Sequence, residues 1–204
     1  MKSKILSKNI ELPVSLLVLA FFAVLIFYFI PERPVQSDPV TNIENAIVTP
    51  KQEQASSGLP VRLKIPSVNV DATIDQMGIT PSGAMEVPSG ARNVGWFKLG
   101  PRPGDKGSAV IDGHYGRWAN GDGSVFDDLN KLKKGDKVYV EDEKGITYTF
   151  LVREFRDYDP KADASSVFVS NDGKSHLNII TCEGVWNKVS KSYSERLVVF
   201  TDKE

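Results

Sequence analysis

The chain has 204 residues, with 25 Lys and Arg against 26 Asp and Glu and a formal charge of −1. That balance provides no basic patch or tail, which excludes a partner recognised through nucleic-acid phosphates. A single cysteine, Cys182, excludes an intrachain disulfide and leaves an unpaired thiol.

In chain order, residues 1–11 carry Lys2, Lys4 and Lys8 ahead of an uncharged apolar run, Leu12 to Ile30. That run is close to the ~20 residues a helix needs to cross a bilayer. The lysine excess before it orients the N-terminus inside the cell and everything after Pro31 outside. A cleaved signal peptide would end its apolar stretch in small residues, whereas this one ends in Tyr28, Phe29 and Ile30. The pattern predicts an uncleaved transmembrane signal anchor over 12–30, with 1–11 cytoplasmic. Residues 31–58 are rich in Pro, Ser, Gln and Asn and show no period, the composition of an extracellular linker that cannot bury a core. Residues 59–204 suffice for one domain and contain no internal repeat.

This domain reads as all-β. Strand-like runs recur at 61–65, 72–77, 107–114, 136–142, 146–155, 176–182 and 196–201, separated by turn residues such as Pro-Ser-Gly at 81–83 and Glu-Lys-Gly at 143–145. Short strands at this density predict a closed barrel or a sandwich. The best helix candidate is 124–132, "SVFDDLNKL", with Ser124 as N-cap and Asp127 and Asp128 in the first turn. A helix there would cover one barrel opening.

Cys182 ends the apolar run "NII" and precedes Glu183 and Gly184, so it sits at a strand mouth, where functional groups gather. A buried thiol acting as a small hydrophobe is the competing reading. A nucleophilic cysteine needs an acid–base partner, and the chain has two histidines. His176 falls on the same strand, six residues away, or ~20 Å at the rise of an extended chain. It is therefore expected as a surface or strand-end residue. His114 closes the run "SAVIDGH" beside Gly113, at another strand end. Arg196 opens "RLVVFT", and antiparallel pairing across the loop 183–195 would set it opposite Cys182. Its planar fork of donors suits an oxyanion or a peptide carbonyl, and a rim salt bridge is its ordinary alternative.

The segments "LKIPSVNVDATI" (63–74), "GSAVIDGHYG" (107–116), "LNIITCEG" (177–184) and "SERLVVF" (194–200), in this order behind an apolar N-terminal run, resemble the sortases of Gram-positive bacteria. The family's Thr-Leu-x-Thr-Cys motif here reads Asn178-Ile179-Ile180-Thr181-Cys182, with Asn178 in place of the first Thr. The resemblance implies a closed eight-stranded β-barrel with one or two short helices, and a cysteine transpeptidase. Cys182 would attack a backbone carbonyl within a C-terminal sorting signal of the Leu-Pro-x-Thr-Gly type, forming a thioester. His114 would protonate the departing amine and deprotonate the incoming one, and Arg196 would hold the substrate and stabilise the oxyanion. Thr181 would contact substrate. The implied partners are proteins bearing the sorting signal, an amine acceptor such as a peptidoglycan precursor or a pilin lysine, and the membrane.

Trp186 and Tyr193, between Cys182 and Arg196, are candidates for lining the groove or for hydrophobic lids; Trp186 is taken as a substrate contact. Asp112 is expected as a solvated carboxylate. The carboxylates at 122, 127, 128, 157 and 159 do not follow the spacing of a calcium-binding loop, and a zinc site from Cys182 and both histidines fails on the ~20 Å separation. No metal or cofactor is expected. Two further readings stay open on the residues alone: a membrane-tethered cysteine peptidase with water as acceptor, and a non-catalytic β-barrel binding module with an inert thiol.

Overall fold

Alternation builds the first strands. Val70, Ala72 and Ile74 are buried while Asp71, Thr73 and Asp75 between them face outward, so one side of the strand closes on a core and the other meets water. The computed structural model describes residues 56–118 and 121–204. The expected cytoplasmic segment 1–11, the apolar span 12–30 and the linker up to residue 55 lie outside the described residues. Among the described residues no helix is long and apolar enough to cross a membrane.

The described residues form eight strands, β1 (Pro60–Ile65), β2 (Val70–Met77), β3 (Val94–Phe97), β4 (Gly107–Gly113), β5 (Lys137–Asp142), β6 (Thr147–Tyr158), β7 (Ser175–Asn187) and β8 (Ser192–Lys203). They close into one barrel in the order β1-β2-β3-β4-β7-β8-β6-β5. The expected all-β closed barrel is thus observed. β2–β3 and β4–β7 pair parallel and all other neighbours antiparallel. All seven sequence-read strands are present. The eighth, β3, escapes the pattern because it is four residues long and Gly95 interrupts its alternation; its neighbours β2 and β4 hold it in place.

The barrel interior is filled by Leu63, Ile65, Val94, Ala109, Ile111, Val138, Val140, Leu177, Ile179 and Val199. A second apolar cluster lies outside the wall. Val110, Val198 and Phe200 point outward from β4 and β8 and are covered by Val167 of a four-residue helix, α1 (Ser165–Phe168), in the β6–β7 connection. This cover explains why β4 is buried on both faces from Ser108 to Asp112. Asn178, which stands where the resemblance expects Thr, donates from Nδ2 to the Val167 carbonyl at 2.5 Å and so ties α1 to β7.

The predicted helix over 124–132 is corrected. That stretch is a series of turns ending in one 3₁₀ turn, Leu129–Lys131. Ser124 does not cap it: its hydroxyl donates to the Gly116 carbonyl at 2.5 Å, and its N–H donates to Asp127 Oδ2 at 2.9 Å. Phe126, Leu129 and Leu132 recur every three residues and all bury into the barrel end, a spacing that three residues per turn serves better than 3.6. The segment closes the barrel opening as expected, with a different backbone.

Ordered contacts begin before residue 59. The Ser57 N–H donates to Asp105 Oδ1 and the Gly58 N–H to Asp142 Oδ2, each at 2.9 Å, while Arg102 Nη1 donates to the Ser57 carbonyl at 2.6 Å.

Candidate active site

β7 alternates strictly. Leu177, Ile179 and Thr181 point into the barrel, so Asn178, Ile180 and Cys182 share the outer face. The antiparallel register of β7 with β8 pairs Cys182 with Arg196, the arrangement expected from the sequence. On the other side of β7, the parallel register with β4 ends on Gly113 paired with Thr181. His114 directly follows that pair, so it lies beside Cys182 across one strand spacing of ~4.8 Å. Strands from distant parts of the sequence thus deliver the three residues to one rim. They line a common groove of about 680 Å³ together with Tyr115, Trp118, Trp186 and Tyr193.

Cys182 is half-buried. Burial pushes its thiol above the ordinary cysteine range; the nearby Arg196 charge pulls it down and Asp112 pushes it up. The thiol is therefore protonated at neutral pH. Alkylation by iodoacetamide is expected to be slower than for a free cysteine at pH 7 and to accelerate as pH rises past the usual thiol range. Because Arg196 is the pull and Asp112 the push, Arg196→Ala should slow alkylation at fixed pH and Asp112→Asn should quicken it. Equal rates in both variants would show that these charges do not reach the sulfur.

His114 is fixed from two sides. Its Nε2–H donates to the Pro88 carbonyl at 2.7 Å, and its ring meets Trp118 edge-on with centroids 5.2 Å apart. That bond leaves Nδ1 as the nitrogen available for proton transfer. Gly113 is needed just before it: a Cβ there would fall 2.6 Å from the Phe126 ring and 2.8 Å from Val125, the residues that plug the barrel end. The Phe126 N–H in turn donates to the His114 carbonyl at 3.1 Å.

Arg196 makes no ion pair among the described residues, so the rim salt bridge is not its role. Nη1 donates to the carbonyls of Glu195 (2.9 Å) and Tyr193 (3.3 Å), and Nη2 donates to Ser192 Oγ at 3.2 Å. The guanidinium is thereby held by its own strand, while Nε–H and one Nη2–H remain available to a ligand.

Thr181 points the other way. It is buried, and its hydroxyl donates to the Gly113 carbonyl at 2.9 Å. The expected substrate contact gives way to a positioning role: Thr181 locks the ends of β4 and β7 together, one residue before His114 and Cys182. Trp186 does border the groove, 47 % exposed, with its ring edge-on to Tyr193 at 5.0 Å. The stretch 183–195, read as a loop, is instead an extension of the β7–β8 hairpin to Asn187 and from Ser192, with a bulge between Glu183 and Trp186 where Gly184 takes φ +85°.

Two expectations about charged groups are corrected. Asp112 is buried, not solvated; Oδ1 has no hydrogen-bond partner, and burial raises its pKa to about 7 against the backbone N–H groups of Asp112 and Gly95, which lower it. It sits on the outer face opposite Ile180, diagonal to Cys182. His176 stands at the start of β7 but is buried as well, with Nδ1 2.8 Å from Asp202 and Nε2 3.0 Å from Asp172. Sequence reasoning missed Tyr115, Trp118 and Pro88. The aromatic residues flanking "GH" were the available signal for the first two, and nothing local marks Pro88, which arrives from the β2–β3 connection.

Among the described residues no group of three His, Cys, Asp or Glu is placed to hold a metal ion. Asp127 is engaged by backbone, accepting from the N–H groups of Gly116 (2.7 Å) and Ser124 (2.9 Å).

The sortase-domain family model matches residues 63–204. Among curated proteins, sortase A of Bacillus anthracis is 29% identical over 174 residues, covering 85% of this chain and 70% of that protein. Among solved structures, sortase C-1 of Actinomyces oris superposes with a TM-score of 0.54 at 26% identity, covering 71% of this chain and 74% of that one. Streptococcus agalactiae sortase C1 gives a TM-score of 0.54 at 23% identity, covering 71% of this chain and 66% of that one. With the barrel, its strand order and the match over 63–204 in agreement, the chain belongs to the sortase family of cysteine transpeptidases.

Proposed function

We propose that the chain is a membrane-anchored transpeptidase that cuts a C-terminal sorting signal of the Leu-Pro-x-Thr-Gly type and transfers the upstream protein to an amine. The observation that supports this reading is the convergence of Cys182, His114 and Arg196 on one groove from β7, the end of β4 and β8. Substrate binding brings the scissile carbonyl to Cys182 Sγ. The thiol proton passes to Nδ1 of His114 as sulfur bonds to the carbonyl carbon, and the oxyanion takes the free Nε–H and Nη2–H of Arg196. Collapse breaks the C–N bond while the His114 imidazolium returns its proton to the departing amine. The thioester persists until an incoming amine, losing its proton to His114, attacks the same carbon and releases the thiolate. Trp186 and Tyr193 form the apolar side of the groove. The acceptor is an amine of the cell-wall precursor or of a pilin, both of which are delivered at the outer face of the membrane.

Incubating the protein with a panel of sorting peptides and weighing it tests the first half: a mass gain equal to the upstream fragment on Cys182 is expected. Adding an amine tests the second half, since its incorporation into product separates a transpeptidase from a peptidase that uses water. A protein that gains no mass with any peptide refutes the assignment.

The fork of Arg196 makes a separate prediction. A lysine keeps the charge but offers no two parallel bonds, and loss of one oxyanion donor lowers acyl-transfer rates by ~10²–10³-fold. Single-turnover acylation should therefore fall substantially in Arg196→Lys and further in Arg196→Ala. A lysine variant acylating at the native rate would reduce the role of Arg196 to charge alone.

A further inference from the structure

The two most exposed large apolar side chains among the described residues, Val189 and Val185, lie together with Trp186 at the end of the β7–β8 hairpin. Val189 is 95 % exposed, Val185 76 % and Trp186 47 %. Leu99, Val87 and Val169 are also exposed, on three other connections of the barrel, which is ordinary for a protein surface. The tip is also pre-shaped. Asn187 Oδ1 accepts from the N–H groups of Val189 (2.9 Å) and Ser190 (3.1 Å), and the Val185 N–H donates to Ser194 Oγ at 3.0 Å. Charge divides along the hairpin: Lys188 and Lys191 lie at the tip, whereas Glu183 and Glu195 pair at its base, and Glu183 accepts from Asn130 Nδ2 at 2.9 Å.

We propose that the segment Val185 to Lys191 is a membrane-docking finger that seats in the headgroup region of an anionic bilayer. Trp is the side chain best suited to that depth, with an apolar ring and one N–H donor. The two valines add apolar area, and each lysine near an anionic surface strengthens contact about fivefold. The finger borders the groove of Cys182 through Trp186 and Lys191, so docking turns the thiol toward the layer in which lipid-linked amines are held. The proposal rests on the anchored-transpeptidase reading above, and chain geometry permits it. β1 runs parallel to β7 through the intervening pairings, so the chain enters the barrel at the end opposite the tip. The 13 residues of β7 span about 43 Å at ~3.3 Å each. Since Ser57 and Gly58 are already bound to the barrel, the tether is the 25 residues at 31–55, whose greatest possible reach of about 90 Å exceeds that span and permits the tip to face a membrane.

The test uses the full chain in vesicles of phosphatidylcholine with or without phosphatidylglycerol, their acyl chains brominated to quench tryptophan on contact. Carbonate extraction is run in parallel to read the anchor. The Trp186 signal is taken as the difference between the native chain and Trp186→Phe, which keeps the buried Trp96 and the exposed Trp118 in both samples. Docking predicts quenching and a blue shift of that difference signal, larger with phosphatidylglycerol, and its loss in Val185→Ser/Val189→Ser. That double variant should cleave a soluble sorting peptide at the native rate. A carbonate-resistant chain whose Trp186 is not quenched overturns the finger and leaves the anchor standing; a chain released by carbonate overturns the anchor and the finger with it. A Trp186 signal that responds to protein concentration and not to bromine overturns it too, in favour of a second copy as the occupant.

Discussion

Cys182→Ala should fold to the same barrel, form no thioester with any sorting peptide and yield no transfer product. The proposed acyl-enzyme is a thioester, and Cys182 supplies the only thiol of the sequence. With it gone, what remains is water attack helped by Arg196 and the groove itself. In other acyl-transfer enzymes removal of the nucleophile lowers the rate by on the order of 10⁶-fold. Folding should not suffer, because Cys182 is half-buried at the rim and belongs to neither apolar cluster. Mass spectrometry of the purified variant after incubation with peptide, alongside its thermal unfolding, reads both halves. Turnover of more than a few per cent by a well-folded Cys182→Ala protein would refute a covalent mechanism.

His114→Ala should retain the thiol and lose the proton carrier, lowering transfer by ~10²–10⁴-fold, the usual contribution of a positioned acid–base group. His176→Ala is the informative contrast. Its imidazole lies at the far end of β7, bridging Asp172 and Asp202, so its removal leaves those carboxylates facing each other across an emptied site. The expected outcome is near-native activity in whatever protein is folded and a loss of about 1–3 kcal/mol in stability. Measuring acylation and unfolding on both variants separates the roles. Equal losses of activity at both positions would be incompatible with the rim geometry.

The barrel and its principal residues were legible because the relevant signals are local. Two-residue alternation and turn residues mark most strands, and a lone cysteine at a strand mouth stands out in a chain with two histidines. Pairing Cys182 with Arg196 needed only the assumption of an antiparallel return. What stayed hidden depends on packing between distant segments. The stretch 124–132 has the N-cap and acidic first turn of a helix, yet Ser124 and Asp127 bond to Gly116 instead, and the barrel mouth selects a three-residue spacing. Thr181 faces the core where a substrate contact would face out, and Asp112 is on the outer face as a solvated group would be, but that face is covered around it. His176 resembles a surface residue until Asp172 and Asp202, four and 26 residues away, are brought to it.

The parallel join between β4 and β7 has a kinetic consequence. Gly113 and Thr181, 68 residues apart, meet only after β5, β6 and α1 have been threaded across, and contacts of such separation form slowly because loop closure precedes any reward. Cys182 and His114 are therefore strangers until the barrel is nearly complete, and no hairpin or half-barrel along the way carries both. On the anchored reading proposed above, a chain emerging unfolded on the far side of a membrane would expose a thiol with no imidazole beside it. Under the mechanism proposed above, reactivity toward peptide bonds would switch on with the last strands to register, making maturation and activation a single event.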